Sequence, residues 1–281
     1  MSEDWRNRLF LNWSWRSVLG IGDGALQAFV QGKFGKFHIV AKVENFAIYV
    51  PMALHFDIQA LAHIRSDFPD KFGIPRQSGI LKGLESQIVF EPEFRDVAAV
   101  RGLEKFSHLW LVWIFSKNIR NKFCPTVRPP RLGGNTRLGV FATRSSFRPN
   151  PLALSVVKIE RIDNTEEGPV ITVSGADLMD GSPIVDIKPY LPYADSIPDA
   201  TGGFTDNVVR NPLKVIISPS DLELFPEEKR NALIQILAED PRPAYQKNAD
   251  RIYGMQFASH EIKFKVAEGT LWVVSVCSLG D

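Results

Sequence analysis

Between Lys105 and Ile159 the chain has no aspartate and no glutamate. The same stretch carries Lys117, Arg120, Lys122, Arg128, Arg131, Arg137, Arg144 and Arg148, although the net charge over all 281 residues is only +1. Positive charge is therefore segregated along the sequence. Trp110, Trp113, Phe115, Phe123, Phe141 and Phe147 are interleaved with it. That mixture points to a phosphate-rich partner, unless folding disperses the cations over several faces. Cysteine is scarce: Cys124 and Cys277 lie far apart, which fits free thiols in a reducing, cytoplasmic compartment. The five histidines form no His-x-x-x-His pair, and there is no Cys-x-x-Cys, so no metal site is expected. No apolar run reaches about eighteen residues, which argues against a membrane span. Met1–Arg6 lacks the charged-then-apolar pattern of a secretory leader. Also missing are a Gly-x-Gly-x-x-Gly after a first strand, a Gly-Lys-Ser phosphate loop and a Gly-x-Ser-x-Gly. A doubly wound nucleotide-binding fold therefore has no support.

What is present suits a soluble globular protein with a substantial core, in one large or two ordinary domains: 44% of residues are hydrophobic and 23% charged. The most informative stretch is Gly139–Pro151. A strand core over Leu138–Ala142 is expected to open into a loop carrying Arg144 and Arg148. Pro149 and Pro151 then fix that loop before the apolar run Leu152–Val157. A proline-stiffened loop loaded with guanidinium groups can hold anionic or planar partners.

Around it the pattern reads mainly as strands. Phe37–Val43, Asn45–Val50, Ile58–Ile64 and Gln87–Phe90 are candidates, with a turn at Gly20–Gly24. The polar loop Arg65–Gly79 contains Pro75-Arg76-Gln77, able to present backbone groups, a guanidinium and an amide to a small ligand. Glu93–Val100 suits a helical turn or two. Phe106–Phe115 is nearly continuously apolar and reads as a strand buried on both faces, with His108 in a structural role. Val140–Ala142, Leu152–Ile159 and Val170–Ala176 follow as strands, with a hairpin turn at Asn164–Gly168. Asp180-Gly181-Ser182-Pro183 is a turn signal. Asp180 and Asp186 either meet the arginines as structural salt bridges or accept hydrogen bonds from a ligand amine or ribose. After a Pro-, Asp- and Gly-rich linker over Pro192–Asp206 comes a small α+β pattern. It has a strand at Lys214–Ile217 and a helix over Asn231–Glu239, with Ala232, Leu233, Ile236 and Leu237 on one face. A stiff loop, Asp240–Tyr245, leads to strands at Gln256–Phe257, Glu261–Val266 and Leu271–Val276.

Several long motifs occur in order: Ile74-Pro-Arg-Gln, Val100-Arg-Gly-Leu-Glu, Phe106-Ser-His-Leu-Trp, Arg128-Pro-Pro-Arg-Leu-Gly-Gly-Asn, Gly139–Pro151, Asp177–Tyr190 and Asp240-Pro-Arg-Pro-Ala-Tyr. Together, over about Ile58 to Tyr253, they closely resemble the TsaA-like/TrmO family of tRNA (adenine(37)-N6)-methyltransferases. The resemblance implies an S-adenosylmethionine-dependent enzyme that methylates N6 of threonylcarbamoyladenosine at position 37, next to the anticodon. It implies a mainly β fold: a single-sheeted β-barrel methyltransferase domain, here over 52–205, and a small C-terminal α+β domain over 206–281. Residues 1–51 form an extension outside the resemblance. A homodimer acting on the anticodon loop of tRNA is implied as well.

Carried onto this sequence, the cofactor contacts are Pro75, Arg76, Gln77, Lys117, Asn118, Arg144, Leu154 and the segment Asp177, Leu178, Met179, Asp180, Gly181 and Ser182. Arg128, Arg131, Arg148, Arg242 and Tyr245 are the candidate RNA contacts. Methyl transfer from a sulfonium is an in-line displacement that needs alignment rather than a covalent nucleophile. The acceptor nitrogen loses a proton, so a nearby carboxylate helps, and Asp180 or Asp186 is the candidate. One departure stands out: Asp67-Phe68 replaces an expected Pro-Tyr. A non-catalytic cofactor- or RNA-binding barrel, or a methyltransferase of another substrate, are the competing readings.

Overall fold

Alternation, not continuous burial, governs the apolar run 106–115. Along His108–Ile114, Leu109, Leu111 and Trp113 are buried, while the residues between them are half-exposed. The expectation of burial on both faces is corrected here. In a closed antiparallel barrel one face of each strand fills the interior and the other meets solvent or covering loops.

The computed structural model describes residues 27–33, 36–43, 46–51, 56–120, 122–132, 135–206, 211–242 and 248–280. The Gly20–Gly24 turn and Tyr245 lie outside them, and Arg131 is described in its backbone alone. The chain forms two compact units, Met1–Ile58 and Gln59–Asp281. The first contains an antiparallel meander of β1 (Gln27–Lys33), β2 (Lys36–Val43) and β3 (Phe46–Pro51).

The second unit begins with β4 (Ala62–Arg65), shorter and later than the Ile58–Ile64 strand expected. β5 (Glu85–Phe90), β6 (His108–Ile114), the short pair β7 (Thr126–Val127) and β8 (Leu138–Gly139), β9 (Leu152–Thr165), β10 (Gly168–Ser174) and β11 (Pro183–Pro189) follow. The barrel closes in the order β10-β5-β4-β11-β6-β9, and every neighbouring pair is antiparallel. Its interior holds Ala62, Ile64, Ile88, Leu109, Leu111, Ile171, Val173 and Ile184. Val140–Ala142 is a 3₁₀ turn rather than a strand. The Val140 N–H donates to the Pro125 carbonyl (2.9 Å), which ties the segment to the preceding loop instead of a sheet edge. That turn buries Val140 and leaves Phe141 outside.

The segment read as a linker contains a one-turn helix, α1 (Pro192–Asp195). Beyond it lie β12 (Lys214–Ile216), α2 (Pro219–Glu223), α3 (Glu227–Ala238), β13 (Tyr253–Phe257), β14 (His260–Ala267) and β15 (Thr270–Ser278), with sheet order β12-β15-β14-β13. Ser218 caps α2 by accepting the Asp221 N–H. Ala232, Leu233, Ile236 and Leu237 form the buried face of α3 and pack with Phe225, Met255, Phe257, Phe264 and Leu271. Leu233 is wholly buried, so Leu233→Ala is expected to destabilise the unit by about 2–5 kcal/mol, measured by urea denaturation. Among the described residues no helix is long and apolar enough to cross a membrane.

Candidate active site

The loop between β4 and β5 has no regular structure, yet it is anchored along its length. Phe68, Leu81 and Leu84 are buried in the same cluster as the α3 face. Phe68, one of the two residues that differ from the expected Pro-Tyr, packs on Phe257 with ring centroids 5.6 Å apart. Its neighbour Asp67 accepts from Lys229 Nζ at 2.7 Å, and the Asp67 carbonyl accepts the Ala258 N–H at 3.1 Å. Gly73 has φ +85°, and a Cβ there would sit 2.5 Å from Met255 Cε. A side chain at that position would be strained by the positive φ and would require the flexible end of Met255 to shift, so glycine eases the passage of the loop by β13 toward Ile74-Pro75-Arg76-Gln77 in the wall of a cavity. The Arg76 guanidinium donates to the Asp240 carbonyl (3.2 Å), a further tie to the C-terminal part of the unit.

The cavity has a volume of about 840 Å³, within the range of about 300–1,000 Å³ typical of small-molecule sites. Its other walls come from the end of β6 and the turn after it, from residues 141–150, from the start of β9, and from the segment after β10. Gly175, with φ +81°, turns that last segment and lies against Gly79, whose N–H donates to the Gly175 carbonyl at 2.9 Å. The chain is thereby aimed so that Asp177 reaches the cavity wall.

Ten of the cofactor candidates come together here. Pro75, Arg76 and Gln77 form one side; Lys117 and Asn118 another; Arg144 and Leu154 a third; and Asp177, Met179 and Ser182 complete it. Leu178 instead points into the barrel core with no exposure. Gly181 and Asp180 stand beside the cavity rather than in its wall. The Asp180 carboxylate accepts the Ser66 N–H at 2.9 Å, so it braces the turn. Asp186 is opposite Val112 across the β11–β6 pair, and Lys188 Nζ reaches its carboxylate at 2.8 Å.

Of the RNA candidates, Arg148 lines the cavity and donates to the Thr143 carbonyl at 2.7 Å, whereas Arg128 is exposed away from it. Arg242 forms a bidentate pair with Asp240 at 2.8 Å and lines a second, smaller recess with Tyr253.

Lys71, Arg76, Lys117, Arg144 and Arg148 surround the main cavity, and Asp177 is the one carboxylate among its described lining residues. Arg144 donates to Gln77 Oε1 at 2.6 Å. Asn118 accepts from Lys71 Nζ at 2.8 Å and donates to Ser146 Oγ at 2.9 Å. Behind Asp177 runs a buried relay: Trp113 Nε1–H donates to Ser155 Oγ (2.9 Å), and the Ser155 hydroxyl donates to Asp177 Oδ1 (2.6 Å). Burial pushes the Asp177 carboxyl above its ordinary range, against the opposing pull of the Ser155 hydroxyl, backbone N–H groups and the Arg144 charge. The site thus offers cations for an anionic or carboxylate-bearing ligand, an apolar wall, and a partly buried carboxylate with raised proton affinity. Lys71 and Ser155 escaped the sequence reading, and Trp113 was noted there only among the interleaved aromatics. Strand alternation shows which side chains point inward, but not which end of a strand opens onto a cavity.

Residues 63–196 match the tRNA-methyltransferase O N-terminal domain, and residues 212–278 match the TrmO C-terminal domain. The Escherichia coli (strain K12) tRNA (adenine(37)-N6)-methyltransferase is 38% identical over 221 residues, covering 76% of this chain and 94% of that protein. A Pseudomonas aeruginosa protein named "Putative S-adenosylmethionine-dependent methyltransferase RcsF" is 40% identical over 71% of this chain and 87% of its own. A crystal structure of TrmO from P. aeruginosa superposes with a TM-score of 0.65 at 31% identity, over 81% of this chain and 99% of that one. With both domain models matched in order, and the barrel and C-terminal sheet present, the chain belongs to the tRNA-methyltransferase O (TrmO) family.

Proposed function

We propose that this protein is an S-adenosylmethionine-dependent tRNA methyltransferase that methylates N6 of threonylcarbamoyladenosine at position 37. The observation that carries the reading is the cavity itself: among the described residues, five cationic side chains and a single carboxylate converge on it within the TrmO N-terminal domain. The donor set fits the cofactor. Arg144, Arg76 and Gln77 suit a carboxylate and a planar base edge. Trp113, Phe115 and Leu154 supply apolar surface, and Asp177 suits a cationic centre or an N–H. When bound, S-adenosylmethionine supplies a methyl group already attached to a good leaving group.

The chain's own residues then have three tasks. The Pro75–Gln77 loop and Arg144 hold the donor in one orientation. The apolar wall excludes water. A carboxylate takes the N6 proton, a role we place on Asp177 because it lines the cavity and carries the raised proton affinity. Asp180 and Asp186 remain outside that wall. We assign the catalytic barrel to residues 52–205 and RNA support to 206–281, in a cytoplasmic homodimer bound to the anticodon loop.

Mass spectrometry of tRNA nucleosides from a deletion strain tests this. Disappearance of the N6-methylated threonylcarbamoyl nucleoside, restored by the intact gene, is the expected result. An unchanged profile overturns the assigned substrate. Calorimetry of the purified protein with S-adenosylmethionine then separates a binding module or another methyltransferase from a protein that takes no such cofactor.

A further inference from the structure

Three phenylalanines on the lip of the cavity are exposed. Phe141 is 71% exposed, Phe123 53% and Phe147 37%. Phe141 also lines the cavity, together with Arg148. Phe123 stacks on Phe141 with centroids 6.3 Å apart and planes 24° apart. The Arg148 guanidinium lies 6.0 Å from the Phe141 ring centre, and that of Arg120 lies 3.8 Å from the Phe147 ring centre.

The local fold builds this arrangement. The β7–β8 pair joins Thr126 to Gly139 and Val127 to Leu138, and the Val140 N–H bonds the Pro125 carbonyl at 2.9 Å. The segments carrying Phe123 and Phe141 are thus clamped together just before each ring leaves the surface. Exposed aromatic rings side by side cost solvation free energy, and such patches mark interaction surfaces.

We propose that Phe123 and Phe141 form a stacking platform for unpaired bases of a single-stranded RNA loop, with Arg120 and Arg148 engaging its phosphates. The proposal rests on the RNA-methyltransferase reading and extends it from the cavity to the lip. RNA supplies what this surface has an appetite for: π faces and negative charge. A second copy does not. Two such faces in contact would set Arg120, Lys122 and Arg148 against their own images, with no acidic residue anywhere in 105–159 to answer them.

The test compares Phe123→Ala, Phe141→Ala and Phe123→Tyr with the unaltered protein on an anticodon stem–loop RNA that carries threonylcarbamoyladenosine at position 37. Phe123 lies outside the cavity lining, so Phe123→Ala is expected to keep its donor affinity by calorimetry while its KM for RNA rises roughly tenfold. Phe141→Ala is expected to raise that KM similarly, and Phe123→Tyr to restore it. An unchanged KM in both alanine variants overturns the platform. So does a halving of mass in sedimentation with Phe123→Ala, which would make the patch a contact between copies. If the unaltered protein does not methylate the stem–loop, the functional reading fails separately. Fluorescence anisotropy with the same RNA then decides the platform: tighter binding by the unaltered protein than by Phe123→Ala supports it, and equal binding rejects it.

Discussion

Asp177→Asn is expected to lower the rate of methyl transfer by roughly 10²-fold or more in a protein that remains folded. Asparagine keeps the shape and still accepts the Ser155 hydroxyl through its Oδ1, so the relay from Trp113 survives. What it loses is the ability to take a proton. The sign of the stability effect follows from the same group. Burial raises the folded-state carboxyl above its unfolded value, near pH 4 for a free aspartate at roughly 3.9. Above that value, and up to the raised folded value, the folded chain holds more protons than the unfolded one. Stability therefore falls as pH rises through that window. The asparagine variant lacks this proton, so its stability should be flatter with pH and no lower at neutrality. Single-turnover kinetics and pH-dependent urea denaturation check both halves. Asp180→Asn and Asp186→Asn, whose carboxylates serve Ser66 and Lys188, provide the comparison. If either abolishes turnover while Asp177→Asn does not, the assignment to Asp177 is wrong.

Arg144→Ala is expected to weaken binding of the methyl donor by about 10- to 100-fold, since a hydrogen bond to a charged group contributes about 1.5–3 kcal/mol. Isothermal calorimetry reads this directly. Arg144→Lys should recover little, because a single ammonium cannot reproduce a planar fork shared between Gln77 and a ligand. A second consequence is specific to the geometry. The Arg144 charge holds the Asp177 carboxyl lower than burial alone would. Removing it should move the rising limb of the pH–rate profile to higher pH. A variant with weakened binding and an unmoved profile would show that Arg144 and Asp177 are not coupled.

Much of the C-terminal part was legible because helix periodicity is a strong local signal. Ala232, Leu233, Ile236 and Leu237 recur at a spacing that only a helix places on one face, and all four are buried. Five of the six barrel strands were found as well, though not all their ends, while β11 was marked only by the turn signal before it. Val140–Ala142 looks like a strand by composition, yet becomes a 3₁₀ turn because Val140 bonds back to Pro125. His108–Ile114 looks buried on both faces because its outer residues are apolar too; the closed barrel leaves that face half-covered.

The carboxylate proposed as the base shows where local reading stops. Asp177, Asp180 and Asp186 are equivalent in residue type and close in sequence. Gly175 and the turn after it send Asp177 toward Ser155 and the cavity, and leave Asp180 bracing Ser66. The order of residues along the chain was enough for most element types, the segregated positive charge and the family motifs, because each depends on neighbours in sequence. Which carboxylate faces the cavity, and that Trp113 and Ser155 stand behind it, depends on strands 42 residues apart in contact. That pairing exists only once the barrel has closed, since closure sets the register that brings β6 and β9 side by side.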